Sequence, residues 1–273
     1  MGAASRRLLP ATLLVAAVLA AGCTDDDPAP EHEALTVLLG DLRQDPTAAR
    51  SFLVADDTTA TAEVAEDADL PEQGRVTALL TDEALQEGAA ADALAASLTA
   101  GLSAAGGASE PDRARMLREV VLAWEGNPSL DEDVRTAGAG VVAADLDLVY
   151  DELVRAADEE TWPDSSARGF LVDAGRDAGS REALHAALLT SLGSRLVPTP
   201  AARLEAATDE LGVPAARLVG ALDSDSGDAD LLADDREVLE RRLRDWLQRN
   251  GADEEQVTNF AHDVGQAYAE ELD

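Results

Sequence analysis

The chain has 273 residues, with 55 acidic side chains against 21 basic ones and a net charge of −34. Every basic residue is an arginine, isoleucine is absent, and the single cysteine is Cys23. Lysine's absence excludes a Walker-type phosphate loop, a Schiff-base amine and a Ser-x-x-Lys nucleophile, and so acidic a chain repels nucleic acid and anionic membrane surfaces.

Arg6 and Arg7 form a positive n-region, and Leu8 to Leu19 form a mostly apolar h-region, too short to span a bilayer comfortably. Ala20, Ala21 and Gly22 then lead into Cys23. This arrangement resembles the lipobox of bacterial lipoproteins, in which a small residue precedes a cysteine. The resemblance implies that residues 1–22 are a signal peptide, that the Cys23 thiol takes a diacylglyceryl group, and that Cys23 becomes the first residue of the mature chain. Ala20 departs from the commoner leucine at its position, with Leu19 one step earlier. An ordinary secretory peptide that leaves Cys23 a free thiol is the alternative. Ser5-Arg6-Arg7-Leu8-Leu9 hints at twin-arginine export, against which stand Pro10 and the short n-region. Two acyl chains bury enough CH₂ groups for stable anchoring. A lipidated Cys23 leaves no thiol for catalysis, a disulfide or zinc. Cleavage leaves 251 residues, in which 19 arginines face 55 acids and the charge is −36.

Residues 23–30, the lipidated cysteine and the acidic run that ends Pro28-Ala29-Pro30, read as a short disordered tether. Residues 31–273 read as an all-α array of about ten to twelve helices, because apolar residues recur at helical spacing with almost no strand alternation. Helices are expected over 31–42 and 46–54, the second opened by Pro46 at its first turn. The polar stretch 56–70 reads as loop, and helices return over 72–87 and 89–104, closed by Gly106-Gly107. Met116, Leu117, Val120, Val121 and Trp124 form one stripe behind a start signal at Ser109-Glu110-Pro111-Asp112. A long helix over 131–157 would bury Val142, Leu146, Val149 and Leu153 on one face and Val134, Val141 and Leu148 on another.

Trp162-Pro163-Asp164 breaks the pattern, and the break near 160–166 leaves one compact array or two lobes open. Ser165 or Ser166 can cap the helix that follows. Further helices are expected over 166–176, 180–196, 200–211 and 214–222, split at Pro214. After the acidic turn 223–228 come 234–249, ended by Gly251, and 253–272. The pairs Glu237–Arg241, Glu240–Arg244 and Asp245–Arg249 are spaced i, i+4 on the first of these, each worth roughly 0.2–0.5 kcal/mol. Trp124, Trp162 and Trp246 read as core anchors.

Candidate chemistry is sparse. Glu182 and His185 have the Glu-x-x-His spacing of di-iron bundles, which need a second copy, yet Asn259 stands three residues before His262. His32, between Glu31 and Glu33, reads as solvated. Asp223 and Asp225 occupy positions 1 and 3 of a would-be calcium loop with Asp234 at 12, but Gly227 and Asp228 stand where a ligand and a glycine belong. Glu182, His185, Asp223 and Asp225 are thus the weak metal candidates, and neither a cofactor nor a catalytic residue is expected. Neither Gly-x-Ser-x-Gly nor His-Glu-x-x-His occurs.

The stretches Asp45-Pro46-Thr47-Ala48-Ala49-Arg50-Ser51-Phe52, 113–124, Leu148-Val149-Tyr150-Asp151 and 169–177 together resemble an actinobacterial α-helical domain of unknown function. Its larger members accompany WXG100-type secretion and toxin-like proteins. The resemblance implies a surface-associated helical scaffold and brings no catalytic residues. The expected protein is an extracytoplasmic lipoprotein held to the cell membrane through Cys23, its body a non-enzymatic module for an envelope protein. The alternatives are a metal-dependent enzyme built on His185 and His262 with carboxylates, and a solute-binding lipoprotein, against which the lack of strand patterning counts.

Overall fold

The computed structural model describes residues 30–103, 107, 109–124, 130–200, 203–226 and 229–272. Residues 1–22, expected to be a signal peptide, Cys23, residues 24–29 of the expected tether, and Gly227 and Asp228 of the acidic turn lie outside the described residues. Among the described residues the fold is all-α and has no strand. The described residues form thirteen α-helices in chain order: α1 (Pro30–Leu42), α2 (Pro46–Leu53), α3 (Thr59–Asp67), α4 (Arg75–Thr81), α5 (Gly88–Leu102), α6 (Glu110–Ala123), α7 (Glu132–Ala144), α8 (Tyr150–Asp158), α9 (Ser166–Gly175), α10 (Ala178–Arg195), α11 (Leu204–Asp223), α12 (Ala229–Arg249) and α13 (Glu254–Glu270). Short 3-10 turns at Glu83–Leu85, Leu146–Leu148 and Trp162–Asp164 join some of them. Among the described residues no helix is long and apolar enough to cross a membrane.

Polar side chains start most of these helices where the sequence places them. Asp45 accepts from the Thr47 and Ala48 amides ahead of Pro46 at 3.1 and 3.0 Å, and Ser109 accepts from the Asp112 amide ahead of α6 at 3.3 Å. Ser165 accepts from the Arg168 amide at 3.2 Å and starts α9, and Asp253 forms a reciprocal capping box with Gln256 at α13. Each such cap satisfies an amide that has no partner inside its helix, worth about 1 kcal/mol.

Four boundaries differ from the periodicity reading. The helix expected over 72–87 is only α4, which stops where Asp82 turns extended (φ −77°, ψ 108°) and a 3-10 turn takes over. The polar stretch 56–70 contains α3, started by Thr58, because one turn of Val64 and Ala65 suffices to dock a surface helix. The long helix over 131–157 is two, α7 and α8. The chain leaves helical geometry at Asp145 (φ −128°, ψ 29°), whose carboxylate accepts from Arg113 Nη1 at 3.1 Å, and makes a 3-10 turn. Val142, Leu146, Val149 and Leu153 are nonetheless all buried. Conversely, α11 runs through Pro214, which has no N–H for the Glu210 carbonyl. That loss is offset by packing, since α11 touches α8, α9, α10, α12 and α13.

Two helices are the hubs. In the first half α5 packs on α1, α2 and α7; in the second, α11 takes that place. Both are rich in small residues, which lets neighbouring backbones approach. A Cβ at Gly101 of α5 would lie 3.1 Å from α2 backbone atoms, and one at Gly175 of α9 would lie 1.9 Å from the Leu222 carbonyl oxygen of α11. Trp124, Trp162 and Trp246 are core anchors, Trp124 edge-on to Phe170 at 4.9 Å between ring centres.

The Trp162–Asp164 turn ends a helix without interrupting the packing, because α11 crosses α8 and α9 on either side of it. The Trp162 indole donates to Glu271 Oε1 at 2.6 Å and Arg168 Nε donates to Glu271 Oε2 at 2.8 Å, so one carboxylate joins the turn, α9 and the end of α13. At the other end of the molecule Arg75, 3% exposed, donates to both Asp57 oxygens at 2.9 and 2.8 Å and to the Phe52 and Pro71 carbonyls, with its guanidinium 4.9 Å above the Phe52 ring. It pins the corner where the chain passes from α2 to α4.

Candidate functional site

The deepest polar cluster joins the last four helices. Arg181 of α10 donates through one nitrogen, Nη1, to Asp223 Oδ1 of α11 at 2.8 Å and to Asp235 Oδ2 of α12 at 2.9 Å. Tyr268 of α13 places its hydroxyl 2.8 Å from Asp223 Oδ2 and 3.2 Å from the Leu232 carbonyl oxygen. His185, one turn along α10 from Arg181, holds Nε2 3.5 Å from Asp235 Oδ1. Asp223 is wholly buried and the Arg181 side chain is 8% exposed. Gly175 brings α9 against the Leu222 carbonyl beside the cluster.

Charge in this setting is costly to leave unpaired. Two carboxylates face one guanidinium. Burial pushes the Asp223 carboxyl up to about 6, the Tyr268 hydrogen bond and Arg181 working against that rise while Asp235 adds to it. Burial also pushes the Tyr268 hydroxyl up, and the Asp223 charge pushes it the same way. The His185 imidazole is pushed down by burial, which outweighs the attraction of Asp235. The cluster therefore ties helices together through a guanidinium bridge and holds one more negative than positive charge whenever His185 is neutral and both carboxylates are ionised.

The structure separates the residues the sequence singled out. Asp223 ends α11 and turns into the core toward Arg181 and Tyr268, whereas Asp225 turns outward and accepts from Arg176 Nε at 2.8 Å. Different arginines thus engage the two aspartates of the would-be calcium loop, and Asp234 is an exposed residue within α12. Glu182 is exposed on α10, away from the half-buried position that its Glu-x-x-His partner occupies beside Asp235. His262 is exposed on α13. His32, expected to be solvated, lies half-buried with Nε2 3.3 Å from Asp82 Oδ2. Among the described residues no three or more His, Cys, Asp or Glu side chains are grouped so that they could hold a metal ion. Cys23 lies outside the described residues.

A surface groove of about 590 Å³ runs between the end of α7 and α10, lined by Ala143, Leu146, Leu148 and Ala187 with Glu110 and Asp147 at its edge. Asp147 is already engaged by Arg195 Nη1 at 2.6 Å. Arg195 also donates to Asp151 at 2.7 Å and lies 4.4 Å above the Tyr150 ring. Burial raises the Tyr150 hydroxyl well above the ordinary phenol range.

Arg181, Asp235 and Tyr268 escaped the sequence reading as members of a site, yet each leaves a signal. Arg181 sits on the stripe that continues Leu184, Leu188 and Leu192, and Asp235 sits four residues before Leu239 on the stripe of Leu243 and Trp246. A charged residue in register with an apolar face must find a partner inside. No protein-family model, curated protein or solved structure matches this chain.

Proposed function

We propose that this chain is an extracytoplasmic lipoprotein, held to the cell membrane through Cys23, whose helical body is a non-enzymatic binding module for an envelope protein. The observation that carries the reading is the order of the leader: Arg6-Arg7, the apolar run to Leu19, the small residues Ala20 to Gly22, and then the chain's sole cysteine. The acidic stretch after Cys23 supports it, because Asp25, Asp26 and Asp27 keep a tethered body from lying on anionic headgroups. The character of the body supports the binding role. Its most deeply placed charged groups, Arg75, Arg181, Asp223 and Glu271, all serve as ties between segments of the fold.

The test is fractionation of the full-length chain against Cys23→Ala. The parent should pellet with membranes and yield a mature N-terminal peptide heavier by a diacylglyceryl group in mass spectrometry. Cys23→Ala should lose that mass and leave the membrane fraction or stay unprocessed. A Cys23→Ala protein that is cleaved and partitions as the parent does would defeat the proposal.

A further inference from the structure

The hydrogen bonds around Tyr268 are one proton short. Its single hydroxyl hydrogen lies between two acceptors, Asp223 Oδ2 at 2.8 Å and the Leu232 carbonyl at 3.2 Å. If Asp223 is ionised, only one of the two can be well served. If Asp223 carries a proton on Oδ2, it donates to Tyr268, Tyr268 donates to Leu232, and Asp223 Oδ1 still accepts from Arg181 at 2.8 Å. Every contact then has a donor and an acceptor. The charge count agrees, since that proton leaves Arg181 paired with the single negative charge of Asp235.

We propose that Asp223, with Tyr268, Arg181 and Asp235, forms a buried proton-binding site that couples the closure of α12 and α13 onto α10 and α11 to pH. With the proton bound, Arg181, Asp223, Asp235 and Tyr268 sum to zero charge and are hydrogen-bonded to one another, while His185 Nε2 stands beside them without a hydrogen-bond partner. Without it, the cluster holds an uncompensated negative charge away from water. The groups facing Asp223 belong to every helix packed there. These are Arg181 and His185 of α10, Asp235 of α12 with Arg242 near His185, and Tyr268 of α13; Glu271, just beyond α13, is spent on Trp162 and Arg168. On the α9 side, Asp173 and Asp225 share Arg176 at the surface.

The sign follows from the direction of the shift. Asp223 rises from an ordinary 3.8 to about 6, so between those values the closed form keeps a proton that an opened form has lost. The stabilisation is complete below 3.8 and gone once the pH has passed 6. His185, shifted downward, acts oppositely: its contribution is present above 6.5 and is lost as pH falls through its lowered value. Replacement of Asp223 separates the two.

The experiment is a carboxyl-carbon NMR titration of the intact protein together with amide exchange at pH 5 and 7.5, corrected for intrinsic exchange rates. Asp223 should titrate near 6. Measured against Asp223→Asn, so that the opposing His185 contribution cancels, protection of α12 and α13 amides relative to α5 should fall about tenfold from the lower pH to the higher. Asp223→Asn, a neutral mimic of the protonated acid, should keep only the opposite trend that His185 sets, with protection rising with pH, and Asp235→Asn should lower the Asp223 midpoint. An Asp223 that titrates in the ordinary carboxylate range overturns the proposal, and so does a proton found on Asp235 instead. Should Asp223→Asn fail to fold, the titration of the parent protein decides alone.

Discussion

At the scale of single residues, the arginines divide by burial, and so do their energetic roles. Arg75 is 3% exposed and ends in a carboxylate and two carbonyls, whereas Arg118 is 47% exposed and meets Glu152 at the surface. Removing one partner of a buried pair strands the other, so Arg75→Ala should destabilise the protein by about 3 kcal/mol in urea unfolding. Arg118→Ala should cost less than about 0.5 kcal/mol in the same measurement, since water and salt already screen its pair. Equal effects would mean that the Arg75 corner opens to solvent. The sequence distinguishes neither arginine by its neighbours alone. Helical pairing is similarly local in principle and variable in outcome: Glu237 does accept from Arg241 at 2.8 Å, while Glu240 turns back to Arg236 at 2.7 Å rather than forward to Arg244. A rotamer choice between i−4 and i+4 partners leaves no mark on the spacing.

Some helices were legible from their apolar stripes alone. The Met116–Trp124 stripe and the Val257–Tyr268 stripe stand in α6 and α13. What the stripe cannot reveal is how neighbours override local preference. Pro214 would stop an isolated helix, but α11 is buried on several sides and continues through it. Asp145 has no helix-breaking residue beside it, and still α7 ends there because its carboxylate reaches Arg113 of α6. The candidate cluster was half legible for the same reason. Charged residues on apolar stripes announce burial, but the pairing of Arg181 with residues 42 and 54 positions away belongs to the tertiary fold. The close crossing of α9 and α11 gives a test at this scale. Gly175→Ala would press a methyl group against the Leu222 carbonyl, and backbone cannot step aside as a side-chain tip can. A loss of about 2–3 kcal/mol is expected by thermal or urea unfolding. Gly140→Ala, with open space at its Cβ, should be neutral or slightly stabilising through helix propensity.

For the whole molecule, 55 acids on a framework with 21 arginines mean that self-repulsion is spread over the entire surface. Raising sodium chloride from about 0.02 to about 0.5 M should therefore raise the melting temperature, since repulsion among the unpaired acids outweighs the exposed ion pairs that salt also weakens; each ~1 kcal/mol gained corresponds to about 2–4 °C for a chain of this size. A melting point that falls with salt would show instead that exposed pairs dominate. The apolar residues on both sides of the Trp162 turn belong to one core, from Leu35 of α1 to Tyr268 of α13. Its closing clasp spans 109 positions, between the Trp162 indole and the Glu271 carboxylate. A chain is made from its first residue to its last. Until residue 271 is made, α11 has no cover from α13 and the Trp162 indole lacks its Glu271 acceptor. The clasp therefore forms late, and the second half of the body stays pliable until it does.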